Sequence, residues 1–153
     1  MNWYVLHTKP RCEKKVEEQL LSVGINAYCP TRSEFKQWTD RKKKIYKPVL
    51  PSMVLVNIDD KDINRVFESP LVVRYMFWMD KRAVVRKSEV DILKKYLDGS
   101  YNSIISNSSS INVGDDFKLT SFNNEKGIIR RISNNYIWIY LKSISYCIKL
   151  KLA

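Results

Sequence analysis

The chain has 153 residues, 44% hydrophobic and 28% charged, which suits one globular domain or two small ones and excludes a chain that is disordered throughout. Lys and Arg exceed Asp and Glu by 20 to 13 in residues 1–98 and by seven to three in residues 111–153, giving a formal charge of +11. This excess favours a polyanionic partner such as nucleic acid, with a merely solubilising surface as the alternative. Because the chain has neither an apolar run of roughly 20 residues nor an N-terminal signal segment, we expect a cytoplasmic protein without membrane contact.

The first predicted elements are a strand and a helix. Residues 3–8 are aromatic and branched and predict a strand, after which residues 8–10 (Thr-Lys-Pro) favour a helix start. Apolar residues at helical spacing predict one buried face, formed by Cys12, Val16, Leu20 and Val23. Gly24 is placed to end this helix in a left-handed conformation, and Arg11 and Lys15 would share one of its flanks.

The rest of the first hundred residues alternates further strands with two helices. Residues 32–47 are strongly basic and predict an exposed hairpin or loop, with the Arg-Lys-Lys-Lys run of residues 41–44 near its turn. Strand patterns cover residues 25–30, 52–58 and 72–78, and helix patterns cover residues 60–68 and 88–97. Because the helices interleave the strands without a regular βαβ repeat, we predict an α+β sandwich.

A change of composition divides the chain. Residues 99–110 are rich in Ser and Asn and predict a flexible linker between a first domain, residues 1–98, and a second, residues 111–153. The second domain is strand-like throughout, with turn signals at Asn123-Asn124 and Asn134-Asn135. Four or five short strands in this stretch predict a small all-β barrel.

The residue types that carry chemistry are scattered. His7 is the single histidine and no GxSxG motif accompanies it, while Cys12, Cys29 and Cys147 form no CxxC pair. The four glycines form neither GxGxxG nor a phosphate-binding loop, and the carboxylates of residues 59–62 are typical of a helix cap. We therefore expect no enzymatic activity, no catalytic residue, no metal site and no cofactor.

Several segments resemble the NusG family of transcription factors. Matches to its NGN domain lie at residues 3–8 (Trp-Tyr-Val-Leu-His-Thr), at residues 13–20, at residues 49–56 (the family's LFPGYVLV strand) and at residues 69–73 (its TPGVV segment). Residues 111–115, followed by Gly127, resemble a KOW domain. The resemblance covers nearly the whole chain in order. It implies an NGN-type antiparallel sheet flanked by helices, followed by a small SH3-like KOW barrel.

Other segments resemble the specialised UpxY and RfaH-type paralogues. They are residues 9–11 (Lys-Pro-Arg), residues 37–43 (Gln-Trp-Thr-Asp-Arg-Lys-Lys) and residues 73–75 (Val-Arg-Tyr). The family's FPG motif is replaced by Leu50-Pro51-Ser52. This departure also favours a specialised paralogue over the general factor. The resemblance implies an elongation and antitermination factor that binds RNA polymerase and suppresses pausing or termination at surface-polysaccharide operons. A general NusG-like elongation factor and an RNA- or ribosome-binding module are the alternatives.

The resemblance also implies contact residues. An apolar patch would dock on the paired clamp helices of the polymerase's largest subunit through His7, Leu50, Pro51, Met53, Leu55 and Trp78. The positions that match the gate-loop-binding segment are Asn64 and Arg65. Non-template DNA would face Lys9, Arg11, Lys15 and Gln19. Since Met53 and Leu55 share one face of a strand, we expect both to point outward, with ordinary core packing as the alternative.

The second domain implies further partners. The resemblance implies that this domain recruits a ribosomal protein or the termination factor Rho. The chain is expected to be monomeric. In RfaH this segment also refolds into a helical hairpin. Residues 134–150 are rich in Ile, Tyr and Asn and poor in Ala and Glu, which favours a stable barrel.

Overall fold

The computed structural model of the chain describes residues 1–98, 112–119, 125–133 and 135–151. The chain falls into two compact units, Met1–Val85 and Arg86–Ala153, which we call the N-terminal and the C-terminal unit. The helix of residues 87–97 is grouped with the C-terminal strands, whereas the sequence prediction placed it in the first domain. The predicted linker, residues 99–110, lies outside the described residues, and the domain limits stay a prediction.

The N-terminal unit is built on a five-stranded antiparallel sheet. Its elements are β1 (Asn2–Thr8), α1 (Glu13–Ser22), β2 (Asn26–Tyr28), β3 (Thr31–Gln37), β4 (Lys42–Pro48), β5 (Met53–Ile58), a 3-10 helix (Ile63–Glu68), β6 (Val72–Tyr75), β7 (Phe77–Trp78), β8 (Lys81–Arg82) and β9 (Val84–Val85). The sheet has the order β2-β5-β1-β6, and β9 also pairs with β1. Two separate hairpins are formed by β3 with β4 and by β7 with β8.

One face of this sheet carries the main core. Alternation along β1 and β5 sends every second side chain to this face, where α1 and the 3-10 helix cover them. The cluster includes Tyr4, Leu6, Val16, Leu20, Val54, Val56, Ile58, Ile63, Val66 and Tyr75. Each fully buried aliphatic side chain of this kind contributes about 1.5–3 kcal/mol relative to an exposed one. Of the apolar face predicted for the first helix, Val16 and Leu20 hold α1 on the sheet, whereas Cys12 and Val23 lie outside the helix and Val23 is exposed.

The first helix begins later than the sequence predicts. Thr8 belongs to β1, and its N–H donates to the carbonyl of Ser52 at 2.9 Å, so the strand continues through the predicted cap. Arg11 has a φ of 62°, which lies outside helical conformation, and α1 begins at Glu13. Arg11 therefore does not share a helix flank with Lys15. The predicted end is confirmed, since Gly24 has a φ of 80°.

Two other segments differ in detail from their predictions. The helix predicted over residues 60–68 is a 3-10 helix, Ile63–Glu68, and Ser69-Pro70 follows it as predicted. The strand predicted over residues 72–78 is two strands, because it leaves the edge of β1 after Met76, whose N–H donates to the Val5 carbonyl at 2.8 Å. The basic segment predicted as an exposed hairpin is confirmed as β3–β4.

The C-terminal unit combines a helix with a four-stranded antiparallel sheet. Its elements are α2 (Lys87–Leu97), β10 (Asp116–Leu119), β11 (Glu125–Ser133), β12 (Tyr136–Leu141) and β13 (Tyr146–Lys151). The strands pair in the order β10-β11-β12-β13, as a meander. The inner face of β12 and β13 packs on Ile92 of α2. The closure of these strands into a KOW barrel stays a prediction.

Two contacts fix the local geometry of this unit. The Glu89 carboxylate on α2 accepts hydrogen bonds from the backbone N–H of Ser143, at 2.9 Å, and from its hydroxyl. Gly127 on β11 faces inward, and a Cβ there would lie 2.1 Å from Cγ2 of Ile139 on β12. Only glycine leaves room for the two strands to approach in this register. Within the described residues, no helix is long and apolar enough to span a bilayer.

Candidate functional site

A row of three side chains crosses three strands of the N-terminal sheet. His7 on β1 lies opposite Met53 on β5 and opposite Arg74 on β6, so all three side chains point to one face. Met53 and His7 are partly exposed, and Arg74 is exposed. A thioether, an imidazole and a guanidinium therefore stand side by side at the surface.

The next side chains on the same face are buried. Leu55 lies opposite Val5, and Leu55 has 0% of its surface exposed. The expectation that Leu55 is accessible beside Met53 is thus corrected, because Leu55 lies in the middle of β5, whereas Met53 lies at its end. Leu50 is buried at 7% exposure, whereas Pro51 beside it is exposed. The assignment of these residues to a docking patch stays a prediction.

The turn that precedes β5 is fixed by hydrogen bonds from two elements. Ser52 has a φ of 57°, in the left-handed region that residues other than glycine rarely adopt. Its carbonyl accepts from Thr8, and its N–H donates to Oε1 of Glu13 at 2.7 Å. Glu13 is 5% exposed and lies in the first turn of α1. These bonds set where β5 begins and therefore where Met53 projects.

The β7–β8 hairpin carries strongly exposed apolar side chains. Phe77 is 54%, Trp78 71% and Met79 84% exposed. Met79 and the residue after it have φ values of 47° and 61°, as in the two-residue turns that favour tight hairpins. The Arg82 guanidinium lies 5.4 Å from the ring centroid of Tyr75 and 5.9 Å from that of Phe77. The exposed Phe77 ring and the buried Tyr75 ring thus lie beside a cation.

Sequence reasoning identified Trp78 but missed its exposed neighbours Phe77, Met79 and Arg74. For Phe77 the cause is that a single strand over residues 72–78 would bury half of its side chains, whereas this residue lies in a separate exposed hairpin. The sequence did contain a signal, because Met79-Asp80-Lys81 interrupts the apolar run with charged residues.

The residues predicted for the gate-loop contact lie on the 3-10 helix. Asn64 and Arg65 are both exposed. Arg65 Nη2 donates to the carbonyl of Val23, at the end of α1, at 3.0 Å. Its Nε lies 3.4 Å from a carboxylate oxygen of Glu68. Arg65 thus ties two elements together while part of its guanidinium stays accessible.

The four residues predicted to face DNA do not form one helix flank. Lys9 and Arg11 lie in the turn between β1 and α1, and Lys15 lies on α1; all three are exposed. Gln19 is partly buried, and its Oε1 accepts a hydrogen bond from the Ser69 hydroxyl at 2.7 Å. The three cations provide charge at the surface, whereas Gln19 also holds α1 to the segment before β6.

The β3–β4 ribbon is basic and aromatic. Residues 31–48 contain seven Lys and Arg against two acidic residues. The register puts Phe35 opposite Lys44, and Tyr46 lies on the same face; Phe35 is 77% and Tyr46 67% exposed. On this ribbon Lys44 Nζ lies 5.6 Å from the Tyr46 ring centroid, and Lys36 Nζ lies 5.2 Å from that of Trp38. Exposed rings with cations suit contact with bases and phosphates.

Two buried groups hold their protons tightly. Burial raises the pKa of the Cys29 thiol to about 12, and the nearby Glu17 carboxylate acts in the same direction. Burial likewise raises the pKa of Tyr75 to about 12, while its hydroxyl donates to the Ile63 carbonyl at 2.6 Å. Cys29 is therefore a protonated core residue rather than a reactive thiolate. In the described ranges, no three His, Cys, Asp or Glu come together as a metal site would require.

Comparison with known proteins assigns the family. The family described as "Transcription termination factor nusG" matches residues 1–94, and a search of curated proteins found no match. A solved structure titled "Domain interaction in Thermotoga maritima NusG" is 19% identical, with a TM-score of 0.55, and the match covers 98% of this chain and 93% of that one. The MjSpt4:Spt5 complex (conformation A) is 14% identical over 97% of this chain and 92% of that chain, at a TM-score of 0.34 that supports no conclusion.

The α+β fold of the N-terminal unit is of the NGN type. The chain belongs to the NusG family of transcription factors, because more than half of its length matches the family. The Thermotoga structure agrees at the level of the fold. The finer resemblance to UpxY and RfaH-type paralogues is not supported by these comparisons.

Proposed function

We propose that the chain is a transcription elongation factor that binds RNA polymerase and suppresses pausing or termination. The observation that carries this proposal is the partly exposed row of Met53, His7 and Arg74 on the part of the chain that matches the NusG family. The main core cluster lies on the opposite face of the sheet and contains neither Met53 nor His7.

The docking face consists of this row with Pro51 and the exposed hairpin residues Phe77 and Trp78. Paired helices of the polymerase offer ridges of apolar side chains, which fit against a flexible thioether and flat aromatic rings. Trp78 contributes most area, since 71% of its surface is exposed. Arg74 adds a cation at the rim, where charge sets orientation more than affinity. Leu50 and Leu55 are buried and would support this face by packing beneath it.

A second part of the proposal concerns DNA. Lys9, Arg11 and Lys15 are exposed cations on the first turn and helix, and they supply contacts to the phosphates of a displaced single strand. Contact with non-template DNA gives the factor a means of choosing particular operons, such as those for surface polysaccharides. Asn64 and Arg65 are proposed to touch the gate loop. The C-terminal unit is proposed to be a KOW barrel that recruits a ribosomal protein or Rho.

The test of docking is co-migration of the purified chain with a reconstituted bacterial elongation complex. Met53→Glu is expected to abolish co-migration, because burying an unpaired carboxylate in an apolar contact is costly. Leu21→Glu is the matched control, since Leu21 is 50% exposed on α1 and lies outside the face. Loss of binding by both variants, or by neither, would contradict the location of the face.

The test of specificity compares pause lifetimes on templates with and without the native leader. An operon-specific factor shortens pauses only when the leader is present, and Arg11→Ala removes that difference. Equal shortening on every template favours the general elongation factor instead. Absence of polymerase binding under all conditions, together with tight binding to structured RNA, favours the RNA-binding alternative.

A further inference from the structure

The outer face of the C-terminal sheet carries a ladder of aromatic side chains. On β12 the inward residues Ile137, Ile139 and Leu141 are fully buried at 0% exposure. Because side chains alternate along a strand, the residues between them point outward: they are Tyr136, Trp138 and Tyr140. Tyr136 is 37% exposed, and the other two are partly exposed. The sheet thus has a buried aliphatic face and an outward aromatic face.

Cations flank this ladder on both neighbouring strands. Trp138 lies opposite Arg131 on β11 and opposite Lys149 on β13. The Arg131 guanidinium is 5.1 Å from the Trp138 ring centroid, and Lys149 Nζ is 4.1 Å from that of Tyr136. At the bulge of β11, the Arg130 guanidinium lies 4.5 Å from the ring centroid of Tyr140. All three of these cationic residues are exposed.

The charge on this face is largely uncompensated within the unit. None of the ion pairs formed among the described residues involves Arg130, Arg131 or Lys149. Lys151, opposite Tyr136, adds a fourth exposed cation. On β10 the register places Asp116 on the same face, two strands away from β12. The central aromatic strand is therefore bordered by cations, and the carboxylate stands at the far edge.

The spacing of the rings suits a single strand of nucleotides. The centroids of Tyr136 and Trp138 lie 6.5 Å apart, with the rings tilted by 56°. This is about twice the ~3.4 Å rise per nucleotide of a stacked strand. Bases that stack on these rings would therefore be spread apart, as in single strands bound to aromatic platforms. A duplex hides the faces of its bases and offers no such contact.

We propose that the outer face of β11, β12 and β13 binds single-stranded RNA. Bases stack on Trp138 and Tyr136, and the phosphates lie along Arg131 and Lys149. An antiparallel sheet with aromatic residues on a central strand is a general solution for reading single-stranded RNA. The Tyr136 hydroxyl offers a hydrogen-bond partner to a ribose 2′-hydroxyl, which selects RNA over DNA. This binding does not depend on docking to polymerase.

The test is fluorescence anisotropy of the full chain with a labelled 12-nucleotide uridine RNA. Trp138→Ala is expected to weaken binding by about tenfold or more, because each stacked base contributes substantially. Phe67→Ala is the matched control, since Phe67 is an aromatic residue that is 46% exposed on the 3-10 helix of the N-terminal unit, and it is expected to change affinity less than about twofold. A far-UV circular dichroism melt verifies that each variant is folded.

Charge variants keep the test decisive if Trp138→Ala fails to fold. Arg131→Gln with Lys149→Gln removes two exposed cations and is expected to lower the slope of log affinity against log salt by about 1.4 for a single strand. The proposal is overturned by three outcomes: no binding of RNA by the wild type, equal losses in the Phe67 and Trp138 variants, or binding of the matched thymidine DNA or of duplex RNA that is tighter than binding of single-stranded RNA.

Discussion

Glu13 and Ser52 are 39 positions apart in the chain, and the Glu13 carboxylate accepts a hydrogen bond of 2.7 Å from the Ser52 N–H. This bond joins the start of α1 to the turn before β5. It couples the start of α1 to the turn from which the partly exposed Met53 follows.

Glu13→Ala is expected to lower the free energy of unfolding by about 1–3 kcal/mol, because it leaves a partly buried N–H without its acceptor. Urea denaturation followed by circular dichroism measures the change. Glu18→Ala is the control, since Glu18 is exposed on the same helix. Equal stability of the two variants would show that the bond to Ser52 does not hold the turn.

Gly127→Ala is expected to destabilise the C-terminal sheet by about 1–3 kcal/mol, because the added Cβ must displace a packed side chain. The atom that it meets is Cγ2 of Ile139, at 2.1 Å. In an Ile139→Ala background, which lacks that atom, the same substitution should cost less. A double-mutant cycle of unfolding free energies tests this coupling, and strict additivity would refute it.

Trp78→Ala is expected to weaken binding to an elongation complex by about tenfold, because a large exposed ring at the centre of an interface is a typical hot spot. Trp38→Ala serves as the matched control, since Trp38 is a similarly exposed tryptophan on another hairpin of the same unit. Titration of the complex with each labelled variant gives the two affinities. If the Trp38 variant is the weaker binder, the β3–β4 ribbon rather than the β7–β8 hairpin is the docking element.

Substitution of Lys42, Lys43 and Lys44 by Gln is expected to lower the salt dependence of nucleic-acid binding. Each phosphate contact that is lost reduces the slope of log affinity against log salt by about 0.7 to 0.9. The measurement is the affinity for a single-stranded DNA at several salt concentrations from about 50 to about 200 mM. A slope unchanged from the wild type would mean that the ribbon does not contact the phosphates.

The stability of the N-terminal unit is expected to fall in alkaline solution. The pKa values of Cys29 and Tyr75 are raised in the folded state, from 9.0 and 10.0 respectively to about 12. A raised pKa means that the folded state binds the proton more tightly, so this stabilisation is complete below pH 9 and is lost as pH approaches 12. Urea midpoints measured from pH 8 upward should decline, and Cys29→Ala should decline less steeply. A parallel decline in both proteins would exclude Cys29 as a cause.

The sequence predicted the elements that rest on local pattern. The apolar run of residues 52–58 predicted β5, and the basic segment predicted the exposed β3–β4 hairpin, because strand period and solvation depend on neighbouring residues. The start of α1 was predicted too early. The Thr8 N–H bonds to Ser52, a partner that is distant in sequence, and this bond extends β1 past the apparent cap.

The candidate site was predicted only in part for a similar reason. Met53 and Leu55 point to the same face, and alternation makes them equivalent in the sequence. Met53 is partly exposed at the end of its strand, while Leu55 lies opposite Val5 in the interior of the sheet. Arg74 was missed because its place beside His7 follows from the pairing of β6 with β1, which no local pattern encodes.

The sequence by itself therefore determined the α+β class, the basic character and most helices and strands, since periodicity, turn residues and charge act over a few positions. The tertiary structure alone decided which members of one strand face are accessible, where Arg11 lies relative to α1, and which aromatic residues meet cations across strands. These properties depend on the register between segments that are distant in the chain, and register is fixed by packing and hydrogen bonds rather than by local preference.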